Sequence, residues 1–142
     1  MRVVFDTSVL VAAARSRRGA SFALISSIPS TNFEICLSVA LYNEWEEVLT
    51  RPEHLPPGQT SADAVRFLQF LASQAWLQEI YFLWRPFLHD PDDDMIVELA
   101  FAAQCEYIVT HNTKDFAGCE RLGVKTITPR EFLKQLNDRR QP

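Results

Sequence analysis

Short segments rich in β-forming residues alternate with segments whose apolar residues recur at helical spacing. The predicted strands are residues 2–5, 33–37, 107–110 and 124–128, and the apolar segment 80–84 fits either a strand or a buried connection. The helical pattern predicts a first helix that ends at Gly19, followed by helices over 20–28, 39–49, 62–77 and 92–104, and one from Pro129 onward. Strands that alternate with helices in this way predict an α/β fold, a three-layer α/β/α sandwich around a central parallel sheet.

Residues that favour helix starts stand before several of these helices. Their hydroxyl oxygens accept hydrogen bonds from the free N–H groups of a first helical turn. The predicted caps are Thr7 and Ser8 for the first helix, Ser38 for the third, and Thr60 or Ser61 for the fourth.

The length of 142 residues indicates one domain, which we place at residues 1–136, followed by a frayed tail at 137–142. Asp6 interrupts the apolar start of the chain, so we expect no signal peptide there. No apolar run approaches the length of a membrane span, so no membrane association is expected. Three cysteines without a CxxC spacing suggest reduced thiols and a cytoplasmic protein.

Polar residues collect where the predicted strands end. Asp6 follows the first strand, while Ser38 and the helix that carries Glu44 follow the second. Thr110 and Asn112 stand at the end of the strand near residue 107. In parallel sheets, ligands bind at the carboxyl ends of the strands, near the point where the strand order reverses. We therefore expect these residues to share one edge of the sheet.

The chemistry that this edge offers is acidic. Nucleotide-binding glycine motifs and the GxSxG motif of hydrolases are absent. Carboxylates without accompanying histidine or cysteine ligands suit hard cations such as Mg²⁺ and Mn²⁺, and a bound cation relieves their mutual repulsion. Metal-bound water can attack a phosphodiester bond. The acids concerned are Asp6, Glu44, Asp90, Asp92, Asp93, Asp94 and Asp115.

Each acid also has an ordinary structural interpretation. Asp6 could belong to a helix cap, and Glu44 could lie on a solvated acidic face. Residues 92–94 could be a charged first helical turn, and Asn112 and Asp115 could be turn residues. Their joint placement at strand ends is what favours a functional site.

Five segments together resemble a known family. They read VVFDTSVLV, LSVALYNEWEEVL, DPDDDMIVELAFAA, YIVTHNTKDF and TPREFL. This array resembles the PIN-domain family, in the branch of VapC-related toxins of toxin–antitoxin pairs. The resemblance extends from Arg2 to about Leu136, and the first and third segments are its most specific parts.

The resemblance implies a set of metal ligands. Asp6 matches the family's first acid, Glu44 the second and Asp94 the third, with Asp92 and Asp93 as adjacent alternatives. The fourth position is open between two residues, because Asn112 stands where some members have an acid and Asp115 stands where others do. Candidate contacts to substrate or water, each with a plain structural alternative, are Thr7, Ser8, Thr110 and Lys114. Thr110 could instead orient a carboxylate.

What the family implies is a Mg²⁺- or Mn²⁺-dependent endoribonuclease with RNA as substrate, a small antitoxin protein as partner, and a homodimeric assembly. The alternative is a catalytically silent module that binds RNA or a protein. A phosphatase of the haloacid dehalogenase type is disfavoured, because Ser8 stands where that chemistry needs a second aspartate. The net charge of −4 does not exclude RNA, since two divalent ions would offset it.

Overall fold

Five parallel strands form the central sheet of this computed structural model, which describes residues 1–81 and 90–140. The strands are β1 (Arg2–Phe5), β2 (Glu34–Leu37), β3 (Trp76–Leu77), β4 (Tyr107–Val109) and β5 (Lys125–Ile127). Their order in the sheet is β3-β2-β1-β4-β5, and every neighbouring pair is parallel. The predicted α/β class with a central parallel sheet is thereby confirmed.

Six α-helices connect and cover the strands in the described ranges. They are α1 (Thr7–Arg15), α2 (Ala20–Ser26), α3 (Val39–Leu49), α4 (Ser61–Gln74), α5 (Pro91–Ala102) and α6 (Pro129–Arg140). Short 3-10 helices occur at Pro52–His54, Thr113–Phe116 and Cys119–Leu122. No helix in the described residues is long and apolar enough to span a membrane.

Both faces of the sheet are covered. Val3 and Val4 point to opposite faces of β1, and both side chains are 0% exposed. The chain moves from β1 outward to β2 and β3, then returns to place β4 on the other side of β1. Since parallel crossovers are almost always right-handed, this reversal puts α5 on the opposite face from α1. The crevice between the carboxyl ends of β1 and β4 is therefore the topological switch point.

Helix α3 begins as the sequence predicts. The Ser38 hydroxyl accepts a hydrogen bond from the Leu41 N–H at 3.2 Å, so Ser38 is its cap. Leu41, Trp45 and Leu49 are buried on the core side of the helix. This spacing leaves Glu44 only partly buried, on the face next to the carboxyl edge of the sheet.

Replacing Ser38 with alanine is expected to lower the free energy of unfolding by about 1 kcal/mol, because the first turn of α3 loses its side-chain acceptor. Urea denaturation followed by circular dichroism measures the change. Ser73→Ala, an exposed serine near the end of α4, is the matched control. Equal unfolding free energies for the two variants would show that the cap contributes nothing.

The end of α4 and the third strand differ from the prediction. A helix was expected over 62–77, but α4 ends at Gln74 and Trp76 begins β3. The helical spacing of apolar residues continues through Ala75, so the sequence does not reveal where the helix ends. The backbone becomes extended after Ala75 because β3 pairs with β2. The expected strand or connection at 80–84 is not a strand at 80 and 81, and the rest lies outside the described residues.

The start of α1 also corrects an expectation. Thr7 and Ser8 were predicted as caps, but the cap position belongs to Asp6, and α1 begins at Thr7. The Asp6 side chain makes no cap hydrogen bond, which leaves its carboxylate available for other contacts. Asp6 is therefore the cap residue of α1 by position, but its carboxylate does not cap the helix.

The remaining boundaries shift by a few residues. The helix expected over 20–28 ends at Ser26, and the helix expected over 92–104 spans Pro91–Ala102. Thr60 is the cap of α4 and forms a reciprocal capping box with Asp63. Helix α6 begins at Pro129 as predicted. It continues through residues 137–140, which belong to the tail expected to be frayed. Residues 141 and 142 lie outside the described range.

Candidate metal centre

Acidic side chains gather at the carboxyl edge of the sheet, around the crevice between β1 and β4. The Asp6 N–H donates to the Val109 carbonyl at 3.0 Å, which extends the pairing of the two strands to their ends. Asp6 and Thr110 thus lie side by side where the strands stop. Asp6 is 7% exposed, and Thr110 is fully buried.

Two hydroxyl groups bind the same oxygen of Asp6. Thr110 Oγ1 donates to Asp6 Oδ2 at 2.7 Å, and Ser8 Oγ donates to it at 2.8 Å. Ser8 accepts from the His111 N–H at 3.2 Å, and Thr110 accepts from the Asn112 N–H at 3.0 Å. The turn after β4 is therefore fixed to the start of α1 through Asp6.

Glu44 reaches the same edge from α3. The hydroxyl of Thr7, a buried residue at the start of α1, donates a hydrogen bond to Glu44 Oε2. Burial raises the pKa of Glu44 most, and the charges of Asp92, Asp6 and Asp90 raise it further, whereas the hydrogen bond from Thr7 lowers it. Glu44 therefore belongs to the acidic cluster and not to a freely solvated helix face.

The first turn of α5 brings three further carboxylates to this region. Asp90 caps the helix, since its side chain accepts from the Asp92 N–H at 2.9 Å. Burial, followed by the charges of Asp6, Asp90, Asp115 and Glu44, raises the pKa of the partly exposed Asp93 to about 7. Carboxylates from the end of β1, from α3, from the start of α5 and from the 3-10 helix after β4 thus add to the electrostatic repulsion at Asp93.

Asp93→Asn is expected to stabilise the protein in chelating buffer at pH 8 by about 1–2 kcal/mol. A carboxyl whose pKa is higher in the folded state contributes stability below its unfolded pKa of about 4, and this is lost as the pH rises through 7. Solvent screening reduces the effect below the full value of the shift. Thermal melts from pH 4 to pH 8 measure it, as a difference of about 3–8 °C that appears only above pH 5.

Asp138→Asn provides the control, because this aspartate is exposed on α6. Its melting temperature should follow that of the wild type at every pH. An Asp93→Asn variant that behaves in the same way would show that the carboxylates do not interact.

Asp94, the residue that best matches the third acid of the resembled family, is 2% exposed. Glu98, one helical turn further along α5, is 5% exposed, and both side chains are engaged by other groups of the protein. Asp93 is one of the two adjacent alternatives, and the charges of Asp6 and Glu44 contribute to its raised pKa. Asp93 and Asp94 therefore both remain candidates for the third acid, and the charge of the exposed Asp92 helps to raise the pKa of Glu44.

The two candidates for the fourth position lie in the turn after β4 and in the 3-10 helix that follows it. Asn112 and Asp115 are both exposed, and the Asp115 N–H donates to the Asn112 carbonyl at 3.0 Å. Only Asp115 carries a charge, and that charge contributes to the raised pKa of Asp93. Lys114, also exposed on this 3-10 helix, is a cation next to the acids in sequence.

Two features of the site were missed at the sequence level. Ser21 Oγ on α2 shares a hydrogen bond of 2.9 Å with His111 Nε2, which ties the turn after β4 to a second helix. Asp90 was counted among the acids but was not named as a site residue. It caps α5, and its charge helps to raise the pKa values of Glu44 and Asp93. The acid cap preceding Pro91 was a readable signal for Asp90, whereas nothing local indicated the contact of Ser21.

The donor set of the cluster fits a hard divalent cation. Its side chains offer carboxylate oxygens, which Mg²⁺ and Mn²⁺ prefer. Burial first, and then the neighbouring acids, raise the pKa values of Glu44 and Asp93, and a bound cation would offset both effects. Within residues 1–81 and 90–140, no group of three or more acidic, histidine or cysteine side chains is placed so that it could hold a metal ion. The donor chemistry therefore suits a hard cation, but the carboxylates are not arranged around one shared position.

A sequence-family model described as a PIN domain matches residues 2–114 of the chain. This range includes every acid of the cluster except Asp115, which follows its last residue directly. A search among curated proteins finds no match.

Two solved structures are similar to the chain in fold. VapBC-1 from nontypeable Haemophilus influenzae aligns with a TM-score of 0.61 and 16% identity, over 92% of this chain and 99% of that one. VapBC2 from Rickettsia felis, bound to a DNA fragment from its promoter, aligns with a TM-score of 0.61 and 14% identity, over 90% and 98%. At these identities, the likeness shows the shared fold.

Proposed function

Because the chain belongs to the PIN-domain family, we propose that it is a divalent-metal-dependent endoribonuclease that hydrolyses phosphodiester bonds in RNA. The observation that carries this proposal is that Asp6 and Glu44 lie together at the carboxyl edge of the sheet, where hydroxyls of Thr7, Ser8 and Thr110 hold them. The charges of Asp6, Glu44 and Asp115, which are distant from Asp93 in sequence, add to the burial that raises the pKa of Asp93. A protein that had no use for a cation would gain nothing from this repulsion.

Mg²⁺ or Mn²⁺ would be held by Asp6, Glu44 and an acid of α5, which is Asp94 or its neighbour Asp93. Asp115 completes the set, and Asn112 is the neutral alternative at that position. A bound divalent ion acidifies water and stabilises negative charge on a phosphate group. The chain's own contribution is to hold these oxygens at one edge, where Thr7, Ser8 and Thr110 restrain two of the carboxylates.

Lys114 would contribute to substrate binding. Its exposed ammonium group lies on the same 3-10 helix as Asp115, and a lysine at such a position can neutralise one phosphate of a bound RNA. Because the acids repel RNA, binding should be weak when no divalent ion is present.

We extend the proposal to a biological role as the toxin of a toxin–antitoxin pair, with a small antitoxin protein as partner. The similar solved structures are of VapBC proteins, and this supports the assignment. An apolar groove of about 500 Å³ lies away from the acids, beside the end of α1, and is lined by Ala14, Phe22 and Phe67 among others. It offers a surface on which such a partner could bury apolar side chains. A cytoplasmic homodimer is part of the same proposal.

The experiment that tests the proposal is cleavage of total RNA by the purified full chain. Cleavage is expected with Mn²⁺ or Mg²⁺ and none with EDTA, and restoring excess Mn²⁺ should restore activity. Tight RNA binding without cleavage in any metal would favour a catalytically silent RNA-binding module. The absence of both cleavage and RNA binding would favour a module that binds only proteins.

A further inference from the structure

Asp6 and Glu44 share a feature that is independent of their charge: each has one oxygen held by hydroxyl groups and one that is not. Asp6 Oδ2 accepts from Ser8 and Thr110, and Glu44 Oε2 accepts from Thr7. In the part of the chain that the structure describes, no donor binds Asp6 Oδ1 or Glu44 Oε1. Each carboxylate therefore has one fixed oxygen and one available oxygen.

The direction of the two hydrogen bonds to Asp6 is set by the backbone. A serine or threonine hydroxyl has one proton to donate and accepts through its lone pairs. Ser8 accepts from the His111 N–H at 3.2 Å, and Thr110 accepts from the Asn112 N–H at 3.0 Å. Each hydroxyl thus accepts one backbone N–H through a lone pair and donates its single proton to Asp6 Oδ2.

Burial makes this arrangement rigid. Thr110 is 0% exposed, and Thr7 and Asp6 are 8% and 7% exposed. Since Thr7 and Ser8 directly follow Asp6 at the start of α1, one short segment holds both carboxylates. One oxygen of each carboxylate is therefore held in place by hydrogen bonds within the protein, without any bound ligand.

We propose that Thr7, Ser8 and Thr110 are positioning residues, which present a single oxygen each of Asp6 and Glu44 to a divalent cation. Their hydroxyls act through the carboxylates and not by contacting RNA or water. The sequence suggested such contacts for Thr7 and Ser8, whereas orienting a carboxylate was already one of the roles open to Thr110. The proposal rests on the metal site of the proposed function. Removing a hydrogen-bonding partner of a metal ligand typically weakens metal affinity about 10–100-fold.

The test is calorimetric titration of Mn²⁺ into the chelator-stripped full chain without RNA. Ser8→Ala, Thr7→Val and Thr110→Val are each expected to raise the dissociation constant about tenfold. Thr110→Ser, which restores the hydroxyl, should bind within about twofold of the wild type. Added to Asp6→Asn, the Thr110→Val change should have almost no further effect, because its action passes through Asp6.

Matched controls come from hydroxyls away from the acids. Thr126→Val changes a threonine on β5, and Ser73→Ala changes an exposed serine of α4. Both should leave the dissociation constant for Mn²⁺ within about twofold of the wild type. Denaturation midpoints of every variant in EDTA, measured in parallel, separate a loss of affinity from a loss of folding.

The outcomes distinguish this proposal from the proposed function. Unchanged Mn²⁺ affinity in Ser8→Ala and Thr110→Val would overturn the positioning role, and so would a Thr110→Ser variant as weak as Thr110→Val. If Thr110→Val does not fold, the Mn²⁺ affinity of Ser8→Ala tests the positioning role, because Ser8 is partly exposed and its replacement disturbs the core less. A wild type that binds no Mn²⁺ would overturn both proposals, whereas one that binds Mn²⁺ but cleaves no RNA would overturn only the nuclease.

Discussion

Asp6→Asn is expected to lower the rate of Mn²⁺-dependent RNA cleavage by at least about 100-fold. Loss of a group that merely supports a metal ligand costs about 10–100-fold, and loss of the ligand itself should cost more. The asparagine can keep its oxygen towards Ser8 and Thr110, which both donate to Asp6 Oδ2. Its NH₂ group would then face the position of the cation, where it cannot act as a ligand.

The measurement is the initial rate of cleavage of a defined RNA at saturating Mn²⁺, with the melting temperature determined on the same preparation. Asp138→Asn makes the same chemical change on the exposed side of α6 and should keep the wild-type rate. Asp6→Asn should also fold normally, because it removes one negative charge from a repulsive cluster. Wild-type activity in a pure Asp6→Asn sample would remove Asp6 from the reaction.

Mn²⁺ is expected to stabilise the folded protein by about 2–3 kcal/mol at a free concentration near 100 times its dissociation constant. A ligand that binds only the folded state stabilises it by mass action, and this concentration corresponds to about 2.7 kcal/mol. Burial and then the neighbouring acids raise the pKa values of Asp93 and Glu44, and a bound cation would stabilise both charged carboxylates. Thermal melts across a Mn²⁺ titration measure the effect, with KCl of equal ionic strength as a control for screening.

The same titration identifies the acid that α5 contributes. Asp93→Asn should lose most of the stabilisation by Mn²⁺, because Asp93 is the α5 carboxylate whose pKa responds to Asp6 and Glu44. Asp94→Asn should retain it if Asp94 has a purely structural role in the interior. The reverse order would assign the third position to Asp94, and a wild type unaffected by millimolar Mn²⁺ would contradict a metal site altogether.

The sequence predicted those parts of the fold that have strong local signals. The cap at Ser38, the strand before Asp6 and the helix start at Pro129 all depend on neighbouring residues, and the structure confirms them. The two-residue strand β3 was missed because pairing with β2, which is distant in sequence, outweighs the local helical pattern.

The candidate site was predictable only where a residue's position follows from its own strand or helix. The position of Asp6 follows from the strand that it ends, and that of Glu44 from the helical phase set by Ser38. The choice between Asp93 and Asp94 depends on where α5 begins, since adjacent helical residues point about 100° apart. The bond between Ser21 and His111 joins residues 90 positions apart, so no local pattern could reveal it.

The junction between β1 and α1 consists of Asp6 alone. The Thr7 side chain contacts Glu44 on α3, and the Ser8 side chain contacts the turn after β4. Residues 6, 7 and 8 must therefore each point in a different, fixed direction. An inserted residue would rotate α1 by about 100° against the sheet and break these contacts together. Related proteins can therefore exchange one hydroxyl residue for another here, but this junction cannot change its length during evolution without losing the site.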